Sequence, residues 1–436
     1  MKKLIILYCI SAWVGLGACS VYKSYERPDM PVVDSLYRQA AATSADTTSI
    51  ASLSWRELFT DPKLQALIET GLQNNTDLNI ARLKVTEAEA TLMTSRLAYL
   101  PSISFEPSGT LRSVDGNAMT KSYDIAASAS WEVDIFGKLT NAKRGAKAAL
   151  EQSEAYRQAV QTQLIATIAN SYYSLLMLDA QLDISERTAA NWGENVRAMK
   201  ALKAAGDATE LAVAQSEASK LSVDASIASL RQQIDQMENT LTALLGIAPQ
   251  KIDRTTIGEQ RFPTELAAGV PLQLLQRRPD VRQSEAALAQ AFYATNAARA
   301  AFYPSITLSG SAGWTNAAGA AITNPGQWLF TAVGSLVQPL FNRGKNIANL
   351  RIAKAQQEEA LLSFRQSLLD AGTDVNNALI QWQTARQRQQ IDQQQILSLE
   401  STVRSSELLM QYSSQNYLEV LTARQTLLQA ELTAVS

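Results

Sequence analysis

The sequence predicts a mainly helical protein with transmembrane β-strands, built by duplicating one unit. Three observations carry that expectation. A block of helix, proline junction, strand, loop, strand and very long helix occurs twice, with Pro101 matching Pro304 and Phe136 matching Phe341, at offsets of 203 and 205 residues. Each copy holds two alternating apolar/polar runs of about ten residues, the length that a tilted transmembrane strand needs. Each copy then runs without proline through a helical pattern of roughly 70 residues, about 100 Å if continuous.

Composition narrows the function classes. The 436 residues could hold two or three ordinary domains, but a duplication favours two interleaved halves of one body. Charges nearly balance, with Lys+Arg 39 against Asp+Glu 41, and no basic stripe marks a nucleic-acid partner. Histidine is absent, which removes the commonest metal ligand and the commonest acid–base group near neutrality. No phosphate loop, nucleophile–base set or metal cluster is apparent, so neither an enzyme nor a cofactor is expected.

Met1-Lys2-Lys3 and the apolar run Leu4–Leu16 read as a secretory signal spanning 1–18. Leu16-Gly17-Ala18-Cys19 resembles a bacterial lipobox, which makes Cys19 the acylated mature N-terminus; an ordinary signal with an incidental cysteine is the alternative. Cys9 lies inside the signal, so no disulfide is expected. Residues 19–53 read as an extended arm.

The first repeat covers 54–246. Asp61-Pro62 starts a helix, since Asp can N-cap and Pro at N1 loses no hydrogen bond. A second helix covers 77–98. Strands follow at about 102–112 and 123–134; in the latter, Tyr123, Ile125, Ala127, Ala129, Trp131 and Val133 alternate with Asp124, Ala126, Ser128, Ser130, Glu132 and Asp134. A long helix hairpin, 138–246, turns at Ala205-Gly206-Asp207; Leu164, Ile168, Leu175 and Leu182 form its stripe. Residues 247–271 form a linker. The second repeat, 272–436, has strands at about 305–314 and 328–338 and a hairpin over 343–436 that turns near 412–416 and returns from Tyr417. Its return helix is expected to reach about residue 455, so an incomplete C-terminus is expected.

Both hairpin tips should project the same way. If the sheet lies in a membrane, no open edge can face lipid. Four strands cannot close alone, two copies leave little lumen, and three copies give a twelve-stranded barrel, the preferred assembly. Trp131, Trp314 and Trp328 sit near strand ends, as interfacial aromatics do. A soluble sheet packed on the helices is the competing reading.

Several segments together resemble the outer-membrane efflux family of TolC- and OprM-type channels, particularly its NodT-type lipoproteins. They are Leu16–Cys19; Trp55, Phe59 and Asp61-Pro62; Arg277-Arg278-Pro279-Asp280-Val281-Arg282; Ala301-Phe302-Tyr303-Pro304; Pro339-Leu340-Phe341; and Tyr417-Leu418-Glu419-Val420-Leu421. The resemblance implies a homotrimer whose twelve-stranded barrel continues into a periplasmic α-barrel. It also implies docking to a periplasmic adaptor and an inner-membrane pump of the resistance-nodulation-division class, with small molecules as cargo. It places Glu419 at the periplasmic gate, with Gln415 and Thr422 nearby; an acid in the first turn of a helix also has a purely structural explanation. Gly206 and Ser413 mark the tips for adaptor docking. The sequence departs from the family pattern at Thr422, Ser413 and Met410, where a second acid, a glycine and a tyrosine are common. Arg277, Arg278, Asp280 and Arg282 are read as a helix start with local ion pairs. A type I protein secretion duct and a non-channel structural envelope lipoprotein are the alternative functions.

Overall fold

The computed structural model describes residues 22–29, 54–113, 115, 119–261, 277–316, 327–412 and 417–436. The elements are α1 (Trp55–Leu58), α2 (Pro62–Asn74), α3 (Thr76–Leu97), β1 (Ser102–Arg112), β2 (Thr120–Val133), α4 (Lys138–Ala205), α5 (Glu210–Leu245), a 3-10 turn (Ile257–Glu259), α6 (Pro279–Ala300), β3 (Ser305–Thr315), β4 (Gln327–Val337), α7 (Lys345–Tyr412) and α8 (Tyr417–Val435). Both unbroken long helices are present, each of 68 residues. Strand β2 begins three residues earlier than the alternation suggests. The short α1 is new, and it is closed by a reciprocal capping box between Ser54 and Glu57.

The chain divides into two compact units that cut across both repeats. One holds residues 1–33, 81–157 and 276–369; the other holds 34–80, 158–275 and 370–436. The first unit contains a four-stranded antiparallel sheet in the order β1-β2-β3-β4, so the two repeats join at the β2–β3 seam. Each strand pair leads into a long helix through a left-handed residue, Gly137 at φ +69° and Gly344 at φ +76°, where a side chain would be strained. Asp134 accepts from the amides of Leu139 (2.9 Å) and Thr140 (2.7 Å), satisfying donors that the start of α4 leaves open. The arm segment 22–29 lies on α6. Arg27 pairs with Glu285, Tyr25 meets Phe292 edge-on at 5.8 Å, and the Tyr25 amide donates to the Tyr293 hydroxyl.

The second unit holds an apolar core between α2, α4 and α5. Leu64 and Ile68 of α2, Ile168, Tyr172 and Leu175 of α4, and Leu241 and Leu245 of α5 are all buried in it. Gly71 permits the close approach of α2, since a Cβ there would sit 2.5 Å from Ile168 Cδ1. The described part of the linker, 247–261, is docked rather than loose. Arg254 reaches Asp179 and Glu238, both at 2.5 Å, and Ile252 enters the core. Asp61 caps α2 through the Lys63 amide and accepts from Tyr172 (2.6 Å), Thr255 (2.5 Å) and Gln260 (2.9 Å). Burial opposes its charge, but hydrogen bonds from Thr255, Tyr172, Gln260 and Lys63 outweigh it and hold the carboxyl down at about 2.

Candidate channel-forming surface and hairpin tips

Register decides what the sheet can do. Reading across the ladders, Phe105 opposes Ala127, Ala127 opposes Ala312, and Ala312 opposes Phe330. One residue along, Ser104 opposes Ser128, Ser128 opposes Ser311, and Ser311 opposes Thr331. The period-2 alternation of β1, β2 and β3 is therefore in phase, while β4 shares the register but carries apolar residues on both faces. One face carries Ile, Phe, Leu and Trp; the other is mostly Ser and Thr, with Glu106 at mid-strand, Asp124 toward the loop end and Leu329, Val333 and Val337 contributed by β4.

The apolar face is not a core. Phe105 is 66% exposed, Trp328 75% and Phe330 79%. A soluble sheet packed on helices would bury these side chains, so that alternative fails. Trp314 and Trp328 pair at 4.8 Å near the loop end, while Trp131 sits at the helix end and donates to the Tyr99 carbonyl at 2.9 Å. Aromatics thus bracket the apolar band at both ends, the arrangement of a membrane-facing strand surface. On the opposite face the hydroxyls bond locally: Ser104 to Ser128 at 2.7 Å, and Ser102 to the Ser130 carbonyl at 3.1 Å. A face of small satisfied hydroxyls wets readily and leaves space for a lumen.

The hairpin ends of the second unit form another cluster. Gly206 turns α4 into α5 at φ +90°, and its amide donates to the Lys203 carbonyl at 3.0 Å. Open space surrounds it, so the turn itself explains the glycine. Tyr417, at the start of α8, is buried against Met199 and Val213, and its hydroxyl bonds Ser216 of α5. Met410 packs beside it. Glu419 and Thr422 point outward from the first turns of α8, along an open groove that also includes Leu409, Leu418 and Thr426. Arg424 ties α8 to Glu407 of α7 at 2.5 Å. Cys19, Ser413 and Gln415 lie outside the described residues. Arg278 pairs with Asp280 at 2.8 Å and Pro279 opens α6, as expected. The Tyr417–Ser216 bond and the Arg424–Glu407 pair escape a reading of the sequence, which shows neither partner near the other.

Such a sheet, each of whose strand pairs leads into a 68-residue helix, defines a β-barrel channel subunit with a helical periplasmic portion. The comparisons agree. The family described as outer membrane efflux protein matches residues 67–247 and 270–436, and the chain belongs to it. The cation efflux system protein CusC of Escherichia coli O6:H1 is 31% identical over 428 residues, covering 96% of this chain and 92% of the relative. The probable outer membrane lipoprotein SilC of Salmonella typhimurium is 28% identical over 436 residues, covering 99% and 95%. A crystal structure of CusC superposes with a TM-score of 0.86 at 29% identity, over 96% of this chain and 95% of that one. The open state of the MtrE outer membrane channel of Neisseria gonorrhoeae gives 0.85 at 27% identity, over 96% and 94%. The chain is an outer-membrane efflux channel component.

Proposed function

We propose that three copies close a twelve-stranded barrel in the outer membrane, and that this barrel is the passive exit duct of a tripartite efflux system. An inner-membrane pump of the resistance-nodulation-division class and a periplasmic adaptor deliver small molecules to it. The carrying observation is the sheet's exposed apolar face combined with two unpaired edges, β1 and β4. Open edges cannot face hydrocarbon, because each unmet backbone group costs several kcal/mol there, so further strands must close the sheet.

In this reading Cys19 carries the lipid anchor. Glu419 repeats three times around the periplasmic aperture, where a ring of carboxylates favours cations. Its exposed position on α8, beside buried Tyr417, suits that role. The tips at Gly206 and Ser413 receive the adaptor, and the duct performs no chemistry on its cargo. The test is single-channel conductance of the purified trimer in a planar bilayer. Cation-preferring steps that lose their preference in Glu419→Gln support both the channel and its acidic aperture. A verified trimer that conducts nothing, even with loosened tips, overturns the duct.

A further inference from the structure

The duplication supplies an in-chain template for the contact between copies. At the β2–β3 seam the end of the first repeat meets the start of the second, and the contact is clamped at its base by Phe136 stacked on Tyr303 at 4.9 Å and 13°. The same kinds of strand are left unpaired at the sheet's two edges, β4 ending the second repeat and β1 starting the first. Carrying the seam over by the offsets that relate Phe136 to Phe341 and Pro304 to Pro101 specifies how those edges meet. Resting on the trimeric reading above, we infer that β4 of one copy pairs antiparallel with β1 of the next, with Ser335 opposite Glu106 of the partner subunit and Leu336 opposite Phe105 of the partner subunit. Phe341 then covers Leu100 of the partner subunit, as Phe136 covers Tyr303.

Three observations support this occupant over any other. First, the clamp residues are bare in the single chain: Leu340 is 93% exposed, Phe341 86% and Leu100 62%, whereas Phe136 is already covered by Tyr303. Second, the register keeps the faces in phase. Leu336 and Phe105 both lie on the apolar face, and a one-residue slip would put every apolar side chain of one strand on the wet side. Pro107, the one proline in the four strands, falls opposite Gly334, where no side chain crowds its ring. Third, the register closes a barrel of ordinary geometry. Stepping across the ladder from Phe105 through Ala127, Ala312 and Phe330 arrives at Leu111 of the partner subunit, a stagger of six residues per chain. With strand spacing and rise at their usual values, that stagger tilts the strands by about 45°, within the range of membrane barrels.

The competing register is a slip of two residues, which keeps the faces in phase. The two hairpins themselves differ by that amount: Ser130 opposes Ser102, whereas its counterpart Ser335 opposes Thr307 rather than Ser305. Cysteine pairing separates the possibilities, because the chain's two cysteines, Cys9 and Cys19, both precede the described arm. Full-length protein carrying S335C with E106C, or L336C with F105C, is oxidised in native outer membranes and run without reductant. Two pairs are used because directly opposed positions alternate between the wider and the closer separation, and the closer one suits a disulfide. Slip controls pair S335C with S104C and S335C with S108C. At least one opposed pair should give roughly ten-fold more linked dimer and trimer than either slip control, since diagonal positions lie about 7–8 Å apart. A slip control that links best, or no linkage from either opposed pair in a particle that remains trimeric by mass photometry, overturns the register and leaves the trimer standing. A particle that is not a trimer overturns the reading beneath it.

Discussion

Replacing Asp61 with Asn tests how the second unit is held together. The carboxylate is 7% exposed and receives one backbone amide and three side-chain donors. An amide group in place of Oδ2 would face the Gln260 amide, donor against donor. The fall from 3.8 to about 2 corresponds to about 2 kcal/mol of stabilisation by the charge. The sign follows from that direction. A depressed folded-state value gives stability that is complete above the unfolded value near pH 4 and is lost as pH falls through about 2. Near neutrality, Asp61→Asn should therefore speed amide exchange in α2 and in 252–260 by about 30-fold, read by hydrogen exchange and mass spectrometry. The difference should shrink between pH 4 and pH 2, where the native side chain also takes up its proton. Unchanged exchange would refute the reasoning. A difference persisting undiminished to pH 2 would do the same, since it would show a steric effect rather than the loss of a charge.

Other perturbations probe separate parts. Arg254→Ala leaves Glu238 buried without its cation, which should cost about 3–5 kcal/mol and release the 247–261 segment to proteases; a double variant with Glu238→Leu should recover part of the loss. Gly246→Ala places a Cβ 2.8 Å from the Asn74 carbonyl at φ +69°, and should lower the thermal midpoint measured by circular dichroism, with a cost of about 1–3 kcal/mol. Arg27→Ala removes the charged pair that fixes the arm on α6. It should raise the rate of proteolytic cleavage within 22–29 several-fold without changing helix content, as followed by N-terminal mass mapping. Glu419→Gln should reduce cation preference in reversal-potential measurements while leaving the trimer intact.

The strands and long helices were legible because each obeys one simple periodicity. Phe105 and Phe330 are apolar because one face meets lipid, and Ser104 and Thr331 are hydroxylic because the other meets water. Nothing breaks the helical pattern from Lys138 to Ala205, so its full length could be read directly. The alternation shows β2 only from Tyr123 because Lys121 puts a charge at an apolar-face position, although Thr120 and Ser122 fit the wet face. What periodicity could not give were contacts between residues distant in sequence. Thr255 reaches Asp61 across 194 positions, and Ser216 meets Tyr417 across 201. Those partners lie in stretches that read as linker and helix surface, where one side chain's target leaves no repeating trace. Glu419 is legible only through its motif, because an acid in the first turn of a helix is equally well explained by the helix dipole.

The two faces of the sheet also divide the work of selectivity. Along the middle of the wet face, Ser104, Ser128, Ser309 and Ser335 satisfy their hydroxyls on each other or on neighbouring carbonyls. Such groups present neither a fixed charge nor an unmet donor to a passing solute. They are also small, so a barrel built from this face keeps its lumen open. At the helix end Glu132 is paired with Lys138 at 2.8 Å, which cancels the charge nearest that junction. Glu106 and Asp124 share this face and have no salt-bridge partner among the described residues, so the wall itself also carries acidic charge. Under the aperture reading proposed above, Glu419 adds a further carboxylate which, unlike Glu407, has no cation within salt-bridge distance among the described residues. Removing that one charge should therefore alter ion preference more than removing any hydroxyl from the wet face.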